Sequence, residues 1–486
     1  MNILIAASEV FPFCKTGGLA DVAGALAQVL SRTKGNKVTV FLPRYRTISG
    51  GAFALKSVPG TFLVPVGDHY ETASLSHVQW GNASVYFVDN PKYFDRTDLY
   101  RTRFGDFHDN DERFIFFSRA VLEGAKFIGF KPDVIHCHDW QTALIPAYLK
   151  TLYAIDAFFA ATGSVMTVHN IAYQGFFGKD TLFKAGFGWM DFTSERLEFY
   201  DGVNFLKAGL VYGDVISTVS PTYAAEVQSS SEAGRGLDGI LRARSSSFYG
   251  ILNGIDTELW DPEGDSFIPV GYYEKSFTAG KAAAKKQLQE LLGLEVNPSI
   301  PMAGVVSRLD YQKGLDVVAD IAPRFLDRMQ LVVLGMGDHN LQDWFGHISA
   351  TVPTRAAYRG TMDEALAHKI YAASDMLLMP SRFEPCGLSQ MIAMRYGALP
   401  VAVKTGGIAD TVIDTEGKNT PNGFLAKYCE GGEVAWALEN ALKAFADRKR
   451  WIGMVRNAMS GDFSWDKSAE LYMELYKKVY AAKHRG

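Results

Sequence analysis

At 486 residues the chain is long enough to form about two to four domains of ordinary size. Hydrophobic residues make up 48% of the sequence and charged residues 21%, which is the composition of an ordinary globular enzyme. The formal net charge of −4 gives no indication of a surface for nucleic acid or for an acidic membrane, so neither is expected as a partner.

The cysteines and the first residues indicate the compartment. The four cysteines are scattered without zinc-type or CxxC spacing: Cys14, Cys137, Cys386 and Cys429. This usage fits a reducing compartment and argues against a disulfide scaffold. The apolar run at 2–7 follows no basic residue, is too short for a signal peptide core, and is expected to be a buried strand. No run approaches the ~20 apolar residues of a membrane span, so we expect a cytoplasmic protein.

Short apolar runs alternate with helical patterns along the whole chain. Strands are predicted at 2–7, 38–42, 85–88, 134–137, 164–168, 215–219, 302–306, 331–334, 376–379 and 399–403. Helices are predicted at 21–30, 111–123, 281–292, 389–396 and 465–483. Continuous apolar strands belong to parallel sheets that are covered on both faces, and their alternation with helices is typical of doubly wound α/β domains.

Turn signals place the domain boundary. Asn253-Gly254 and Asp261-Pro262 follow the last predicted strand of the first half. We therefore expect an N-terminal Rossmann-like domain over 1–250, completed by a C-terminal helix within 462–486, and a second Rossmann-like domain over 251–461. The segment 415–422 is expected to be an enlarged loop.

Nearly the same phrase occurs once in each half. Residues 15–22 read Lys-Thr-Gly-Gly-Leu-Ala-Asp-Val, and residues 405–411 read Thr-Gly-Gly-Ile-Ala-Asp-Thr. A Gly-Gly turn at a helix start lets backbone N–H groups approach an anion, and the helix dipole favours negative charge there. The two copies predict two similar domains facing one phosphorylated ligand. The alternative is a pair of tight turns that hold no ligand.

The unusual polar residues follow the predicted strands, where ligands of open α/β sheets bind. Lys15, Asp139 and His169 do so in the first half, and Arg308, Lys313 and Glu384 do so in the second. Lys15, Arg308 and Lys313 are the cations that suit a pyrophosphate. The pattern predicts one cleft lined from two sheets.

Taken together, these motifs resemble the glycogen and starch synthase family that uses ADP-glucose. The motifs are Lys15–Val22, His138-Asp139-Trp140, Thr167-Val168-His169-Asn170, Asn253-Gly254-Ile255-Asp256, Ser307-Arg308-Leu309, Gln312-Lys313-Gly314, Pro380–Leu388 and Thr405-Gly406-Gly407. The resemblance implies the GT-B fold, in which two Rossmann-like domains face each other across a deep cleft. It also implies retaining transfer of glucose from ADP-glucose to the non-reducing end of an α-1,4-glucan. We expect no cofactor, and no divalent metal, because three cations already face the diphosphate.

The resemblance also implies a role for each matching residue. Lys15, Gly17 and Gly18 would contact the nucleotide-sugar phosphates, Arg308 and Lys313 would neutralise the leaving diphosphate, and Thr405, Gly406 and Gly407 would bind its distal phosphate. Glu384 would hold sugar hydroxyls beside the backbone of Cys386 and Gly387. His169, Asp139 and Asn253 would lie at the donor glucose, with Asp139 also near the acceptor. Met362 stands where relatives often place an aromatic residue that could stack on adenine.

Several other chemistries remain open from the residues alone. Glu384 and Asp139 could form the carboxylate pair of a double displacement, His169 could be a general base, and Cys386 could be a nucleophile. His136 and His138 are spaced like metal ligands on a strand. The triplet Asp109-Asn110-Asp111 reads either as a metal-binding DxD or, as we expect, as a helix cap.

Alternative functions also remain. The chain could be another GT-B transferase with a different sugar nucleotide, or a catalytically silent glucan-binding scaffold. A phosphorylase would need a lysine-bound pyridoxal phosphate, for which no motif is evident. A Rossmann dehydrogenase would need G-x-G-x-x-G after the first strand, and Gly17-Gly18 lacks that spacing.

Overall fold

The computed structural model describes residues 1–48, 53–102, 104–415 and 420–484. The chain divides into two compact units. Unit 1 comprises Met1–Asn253 with Trp465–Gly486, and unit 2 comprises Gly254–Ser464. The sequence-based boundaries stood at 250 and 461, against 253 and 464 here. Residues 416–419 of the expected loop and residues 485–486 of the expected helix segment lie outside the described residues.

Unit 1 is built on a nine-stranded sheet. In spatial order its strands are Phe248–Gly250, Val215–Thr218, Gly163–Val168, Val134–His138, Asn2–Ala6, Lys37–Pro43, Ala83–Asp89, His69–Trp80 and Lys56–Val66. Neighbours pair in parallel as far as Ala83–Asp89, and the last two strands add in antiparallel fashion. Strands such as Val134–His138 are buried throughout, as expected where both faces of a parallel sheet are covered.

The helices of unit 1 connect these strands. They are Gly18–Arg32, Pro91–Phe94, Asn110–Phe127, Leu144–Lys150, Thr181–Lys184, Phe205–Tyr212, Pro221–Ser229, Asp238–Ala243 and Trp465–Lys483. Short 3₁₀ turns occupy Trp140–Thr142, Trp189–Asp191 and Ser245–Ser247. Minor strand pairs involve Arg101–Thr102, Gly105–Asp106, Phe176–Phe177, Glu198–Phe199 and Gly202–Asn204.

The helix Trp465–Lys483 packs on the sheet of unit 1, although unit 2 separates it from the other unit 1 residues in sequence. The Tyr476 hydroxyl lies 2.7 Å from His136 Nδ1. The helix also lies so close to the strand Gly163–Val168 that a Cβ on Gly163 would stand 2.0 Å from a Val479 methyl carbon. Glycine at this position therefore allows the helix to seat on the strand.

Unit 2 is built on a six-stranded sheet whose pairings are all parallel. In spatial order its strands are Ala356–Arg359, Gln330–Leu334, Met302–Val306, Met376–Met379, Leu399–Val403 and Phe424–Ala426. Its helices are Phe277–Leu292, Leu315–Ile321, His339–Thr351, Glu364–Ala373, Ser389–Arg395, Gly406–Thr411, Gly431–Ala446 and Arg448–Met459, with 3₁₀ turns at Tyr311–Lys313 and Ala322–Arg324. None of the helices in the described residues is long and apolar enough to cross a membrane.

The antiparallel edge of unit 1 is the main departure from the sequence-based prediction, which had only parallel strands. Two antiparallel strands, Lys56–Val66 and His69–Trp80, form this edge. Their pairing runs from Val66 opposite His69 to Lys56 opposite His77, and the register shifts between Val58 and Phe62. Many of their side chains are exposed, and beyond the short apolar run at 62–66 these strands lack the continuous apolar character of a buried strand. Parallel strands build the part of the sheet that carries the predicted site residues.

Candidate functional site

Three neighbouring strands of unit 1 bring the predicted residues of the first half to one edge of the sheet. Asn2–Ala6 leads to the turn at Lys15, Val134–His138 ends directly before Asp139, and Gly163–Val168 ends directly before His169. These strands are adjacent and parallel, so their carboxyl ends lie at the same edge. The structure therefore gathers on one edge residues that are far apart in sequence.

The first Gly-Gly turn opens the helix Gly18–Arg32, as predicted. Lys15 Nζ lies 2.7 Å from Asp21 Oδ1 and 5.5 Å from the centre of the Phe11 ring, and its side chain is 46% exposed. A Cβ added to Gly17 would meet nothing within 4 Å. The Lys15 ammonium and the space beside Gly17 are both accessible to a ligand.

Glu9 is a site residue that the sequence analysis missed. It is 4% exposed, and its carboxylate accepts hydrogen bonds from Thr16 N–H, from Thr16 Oγ1 at 2.7 Å and from Gly17 N–H at 3.3 Å. The Tyr100 hydroxyl donates a fourth bond, at 2.7 Å. Two amides of the glycine turn, expected to be available to an anion, therefore already bind a carboxylate of the chain itself.

His136, His138 and His169 form a buried row beside the turn. His138 Nδ1 lies 2.9 Å from His169 Nε2, and the rings of His136 and His138 are 4.1 Å apart. Burial lowers the pKa of His136 and of His169 to about 3, and that of His138 well below its ordinary value. The imidazoles are therefore neutral at pH 7. Because its pKa is so low, His169 is a weak general base.

Both ring nitrogens of His136 already have hydrogen-bond partners. Nδ1 meets the Tyr476 hydroxyl at 2.7 Å, and Nε2 meets Thr167 Oγ1 at 2.6 Å. His138 Nε2, in contrast, is buried and has no hydrogen-bond partner among the described residues. Asn253 Oδ1 is buried and unpartnered in the same sense. Buried polar atoms normally have a partner, so each of these two could accept one from a bound ligand.

Asp139 stands at the end of its strand with an unusual backbone, at φ 56°. Its Oδ1 accepts the His169 amide hydrogen at 2.7 Å. Burial raises the pKa of Asp139 to about 7; the amides of His169 and Asn170 oppose the rise, and the nearby Glu9 charge adds to it. The carboxyl therefore titrates close to neutral pH.

The predicted residues of unit 2 also lie at strand ends. Lys313 Nζ lies 2.6 Å from Glu384 Oε2, and Ser381 Oγ donates to the same oxygen at 2.9 Å. Glu384 is 5% exposed. Asp310 fixes the turn of Lys313 by accepting its amide hydrogen at 3.1 Å. The structure thus joins a lysine and a glutamate that are 71 residues apart in sequence.

Arg308 remains accessible beside this pair. Its side chain is 49% exposed, and its guanidinium lies 3.2 Å from Asp310 Oδ2. Because Asp310 also binds the Lys313 amide, one carboxylate links both predicted phosphate cations of unit 2.

The second Gly-Gly turn packs directly on the Glu384 loop. Gly407 N–H donates to the Glu384 carbonyl at 3.1 Å. A Cβ on Gly406 would stand 1.9 Å from that carbonyl oxygen, and one on Gly407 would stand 2.1 Å from the Cys386 carbonyl oxygen. The Gln390 amide in turn donates to the carbonyls of Cys386 and Gly387, at 3.0 and 2.8 Å. The structure brings Thr405–Gly407 against Glu384–Gly387, with Met362 elsewhere on unit 2 and 79% exposed.

The carboxylates of the DxD triplet lie in ion pairs, and the expected side-chain cap is wrong. The helix begins at Asn110, and Asp109 occupies the N-cap position without a side-chain cap hydrogen bond. Asp109 instead pairs with Arg96 at 2.6 Å, and Asp111 pairs with Lys184 at 2.8 Å. Nearby cations offer these carboxylates a stronger partner than the helix amides do.

One cluster in the described residues has the geometry of a metal site: His69, Glu71 and Glu112. Lys92 Nζ already lies 2.6 Å from Glu71 and 2.9 Å from Glu112. An ammonium therefore balances these carboxylates without a metal.

We expect Asp139 to make the stability of unit 1 depend on pH. Its pKa rises from 3.8 to about 7 on folding, so its contribution is fully present below pH 3.8 and is lost as the pH rises through 7. Relative to Asp139→Asn, the unaltered chain should lose about 3 to 4 kcal/mol of unfolding free energy between pH 4 and 8. Urea unfolding of both proteins across this range measures the difference. A difference in unfolding free energy that stays constant with pH would show that folding does not raise the pKa of Asp139.

Comparison with known proteins places these residues in a family. Residues 2–243 match the family model described as starch synthase catalytic domain, and residues 300–444 match glycosyl transferases group 1. A glycogen synthase of Elusimicrobium minutum is 53% identical over 481 residues, which is 99% of each chain. A glycogen synthase of Syntrophotalea carbinolica is 46% identical over 486 residues, covering 100% of both.

A solved structure agrees with these sequence matches. The catalytic domain of starch synthase IV from Arabidopsis thaliana, bound to ADP and acarbose, superposes with a TM-score of 0.91 at 36% identity, covering 99% of each chain. The expected fold class is thereby confirmed, and the alternatives of dehydrogenase and phosphorylase are set aside. The chain belongs to the glycogen and starch synthase family of GT-B glycosyltransferases.

Proposed function

We propose that this chain transfers glucose, with retention of configuration, from ADP-glucose to the non-reducing end of an α-1,4-glucan. The observation that carries the proposal is the full-length similarity to a starch synthase that holds ADP and acarbose. An oligosaccharide beside a nucleoside diphosphate is the ligand pair expected of a glucosyltransferase. Membership of the family supports glucosyl transfer. The proposal adds the identity of the donor, ADP-glucose, and of the acceptor, an α-1,4-glucan.

In unit 1, we assign Lys15 and the backbone of Gly18 to the donor phosphates. The Gly17 N–H, which was expected to join them, already donates to the Glu9 carboxylate. Lys15 supplies an accessible ammonium, and the first amides of the helix that begins at Gly18 lack intrahelical acceptors. His169, Asp139 and Asn253 are assigned to the glucosyl group. The unpartnered Asn253 Oδ1 and the neutral His169 are suited to hydrogen bonding with sugar hydroxyls.

In unit 2, we assign Arg308 and Lys313 to the diphosphate and Glu384 to sugar hydroxyls. The backbone of Cys386, Gly387, Thr405 and Gly406 completes the set. The Gly407 N–H, which was expected to bind the distal phosphate, already donates to the Glu384 carbonyl. The contact of Gly407 N–H with the Glu384 carbonyl keeps the phosphate turn and the sugar loop in fixed register. Such register is needed because the bond that breaks joins the sugar to the phosphate.

The chemistry follows from charge. Breaking the bond between glucose and phosphate leaves positive charge on the sugar and additional negative charge on the diphosphate. Fixed cations and dipoles at the leaving group stabilise that separation. Glu384 is held by Lys313 and Ser381, and Asp139 by the His169 amide, so neither carboxylate is arranged as a free nucleophile. This favours attack by the acceptor hydroxyl from the leaving-group side, with its proton passing to the phosphate.

The proposal needs neither a cofactor nor a metal. Lys15, Arg308 and Lys313 supply the positive charge that Mg²⁺ or Mn²⁺ supplies in other nucleotide-sugar enzymes. The triplet at 109–111 is committed to ion pairs with Arg96 and Lys184.

The reaction is tested by offering ADP-glucose and UDP-glucose separately with a glycogen primer. We expect ADP release to exceed UDP release and to match incorporation of labelled glucose, in a product that an α-1,4-specific amylase removes. UDP release that exceeds ADP release, or no release from either donor, would indicate a different sugar nucleotide. Glycogen binding without turnover would reveal a silent scaffold.

Lys15→Gln should weaken use of the donor while leaving the fold intact. The change removes a charged hydrogen bond to phosphate, which corresponds to about 1.5–3 kcal/mol in kcat/KM for ADP-glucose. Steady-state kinetics measure the loss, and Lys34→Gln, at an exposed lysine of the same unit, is the matched control. Kinetics of Lys15→Gln that equal those of the control would remove Lys15 from the donor site.

Chelator should leave the rate of glucose transfer unchanged. Enzyme dialysed against EDTA is assayed with and without added Mg²⁺ or Mn²⁺, because three side-chain cations already suffice for the leaving group. Activity that EDTA abolishes and Mn²⁺ or Mg²⁺ restores would overturn the metal-free proposal.

A further inference from the structure

Glu9, which the sequence analysis did not single out, holds the loop before the first helix through its carboxylate. Four hydrogen bonds converge on its carboxylate, from Thr16 N–H, Thr16 Oγ1, Gly17 N–H and the Tyr100 hydroxyl. The Tyr100 hydroxyl also lies 2.7 Å from Ser8 Oγ. A buried carboxylate with this many donors is fully satisfied inside the protein and is not an exposed surface acid.

These bonds fix the two residues that directly follow Lys15. Elsewhere the loop is tied by Phe11 N–H to the Ala20 carbonyl at 3.0 Å and by Cys14 N–H to the Val10 carbonyl at 3.0 Å. The helix also approaches closely, since a Cβ on Gly24 would stand 2.4 Å from the Phe11 carbonyl oxygen. Between Cys14 and the helix start, the Glu9 carboxylate is the acceptor for Thr16 and Gly17.

We infer that Glu9 is a positioning residue for the donor: its carboxylate shapes the turn Lys15–Gly18 and thereby sets where Lys15 and the first helix amides meet the diphosphate. This inference rests on the proposed function. Glu9 is not assigned a contact with the substrate. It acts through Thr16 and Gly17, whose amide hydrogens it withdraws from the ligand, so that Lys15 and the amides from Gly18 onward remain for the phosphate.

The hydrogen-bond pattern indicates which substitutions keep the turn. Oε2 accepts the two amide hydrogens, while Oε1 accepts from two hydroxyl groups. In Glu9→Gln the amide oxygen can accept both backbone hydrogens, and the NH₂ group can donate to the hydroxyls, which rotate to accept. Glutamine therefore preserves the shape of the turn without the charge. Alanine leaves the amide and hydroxyl donors that bind Glu9 without an acceptor.

The test measures ADP binding by calorimetry for the unaltered chain, Glu9→Ala and Glu9→Gln. We expect Glu9→Ala to weaken ADP binding by about ten- to a hundredfold, the loss typical of hydrogen bonds to a charged group. Glu9→Gln should bind ADP nearly as well as the unaltered chain. In kinetics the KM for ADP-glucose should rise for Glu9→Ala, with the KM for glycogen unchanged.

Two further variants keep the test decisive. Glu123→Ala is the matched control, since Glu123 accepts the Tyr153 hydroxyl at 2.6 Å elsewhere in unit 1, and it should leave ADP affinity unchanged. Thr16→Val removes one donor to Glu9 and should weaken ADP binding in the same direction as Glu9→Ala but less. It replaces Glu9→Ala if that variant does not fold.

The outcomes separate the two proposals. If the unaltered chain does not bind ADP, the proposed function fails. If it does, and Glu9→Ala binds ADP as tightly, Glu9 is merely structural and the inference is overturned. Equal weakening by Glu9→Gln and Glu9→Ala would show that charge, not the shape of the turn, is what matters, and would also overturn it.

Discussion

Parallel strand pairing is the constraint on which the rest of the structure depends. A parallel sheet that is covered on both faces buries the side chains along its strands, so groups that meet a ligand lie where the strands stop. Parallel pairing also brings the carboxyl ends of neighbouring strands to the same edge. In unit 1 this assembles the Lys15 turn, Asp139 and His169 at one edge, and in unit 2 it brings the Glu384 loop against the turn at Thr405. The site residues are thus a product of the sheet rather than of any local motif.

The same constraint explains what could be predicted from the sequence. Buried strands such as Met302–Val306 and Leu399–Val403 were predicted to the residue because nothing polar interrupts them. The pair Lys56–Val66 and His69–Trp80 was missed because its side chains are partly exposed. Its signals were the two-residue connection Gly67-Asp68, which is typical of a hairpin, and the short apolar run at 62–66 before it. For the site, residue types at strand ends were predictable, but partners were not. A lone acid such as Glu9, or the pairing of Lys313 with Glu384 across 71 residues, has no spacing that indicates it.

The two Gly-Gly phrases resemble each other in sequence and differ in physical purpose. At Gly17 a side chain would meet nothing, so the small residue leaves open space beside the turn. At Gly406 and Gly407 a side chain would collide with the carbonyls of Glu384 and Cys386, so glycine is required by contact with another loop. Glycine in the first copy leaves open space beside the turn, and glycine in the second copy permits close contact with the Glu384 loop. Repetition in sequence therefore does not imply repetition of mechanism.

The seating of Trp465–Lys483 on unit 1 has a consequence for synthesis. Tyr476 completes the hydrogen bonding of His136, yet it is made only after residues 254–464 of unit 2, a stretch of 211 residues. At about 5–20 residues per second, the sheet of unit 1 emerges from the ribosome roughly ten to forty seconds before the helix that covers it. During this interval the strand Gly163–Val168 and the imidazole of His136 lack their final cover. The histidine row of unit 1 therefore takes its final form only after the whole of unit 2 has been synthesised.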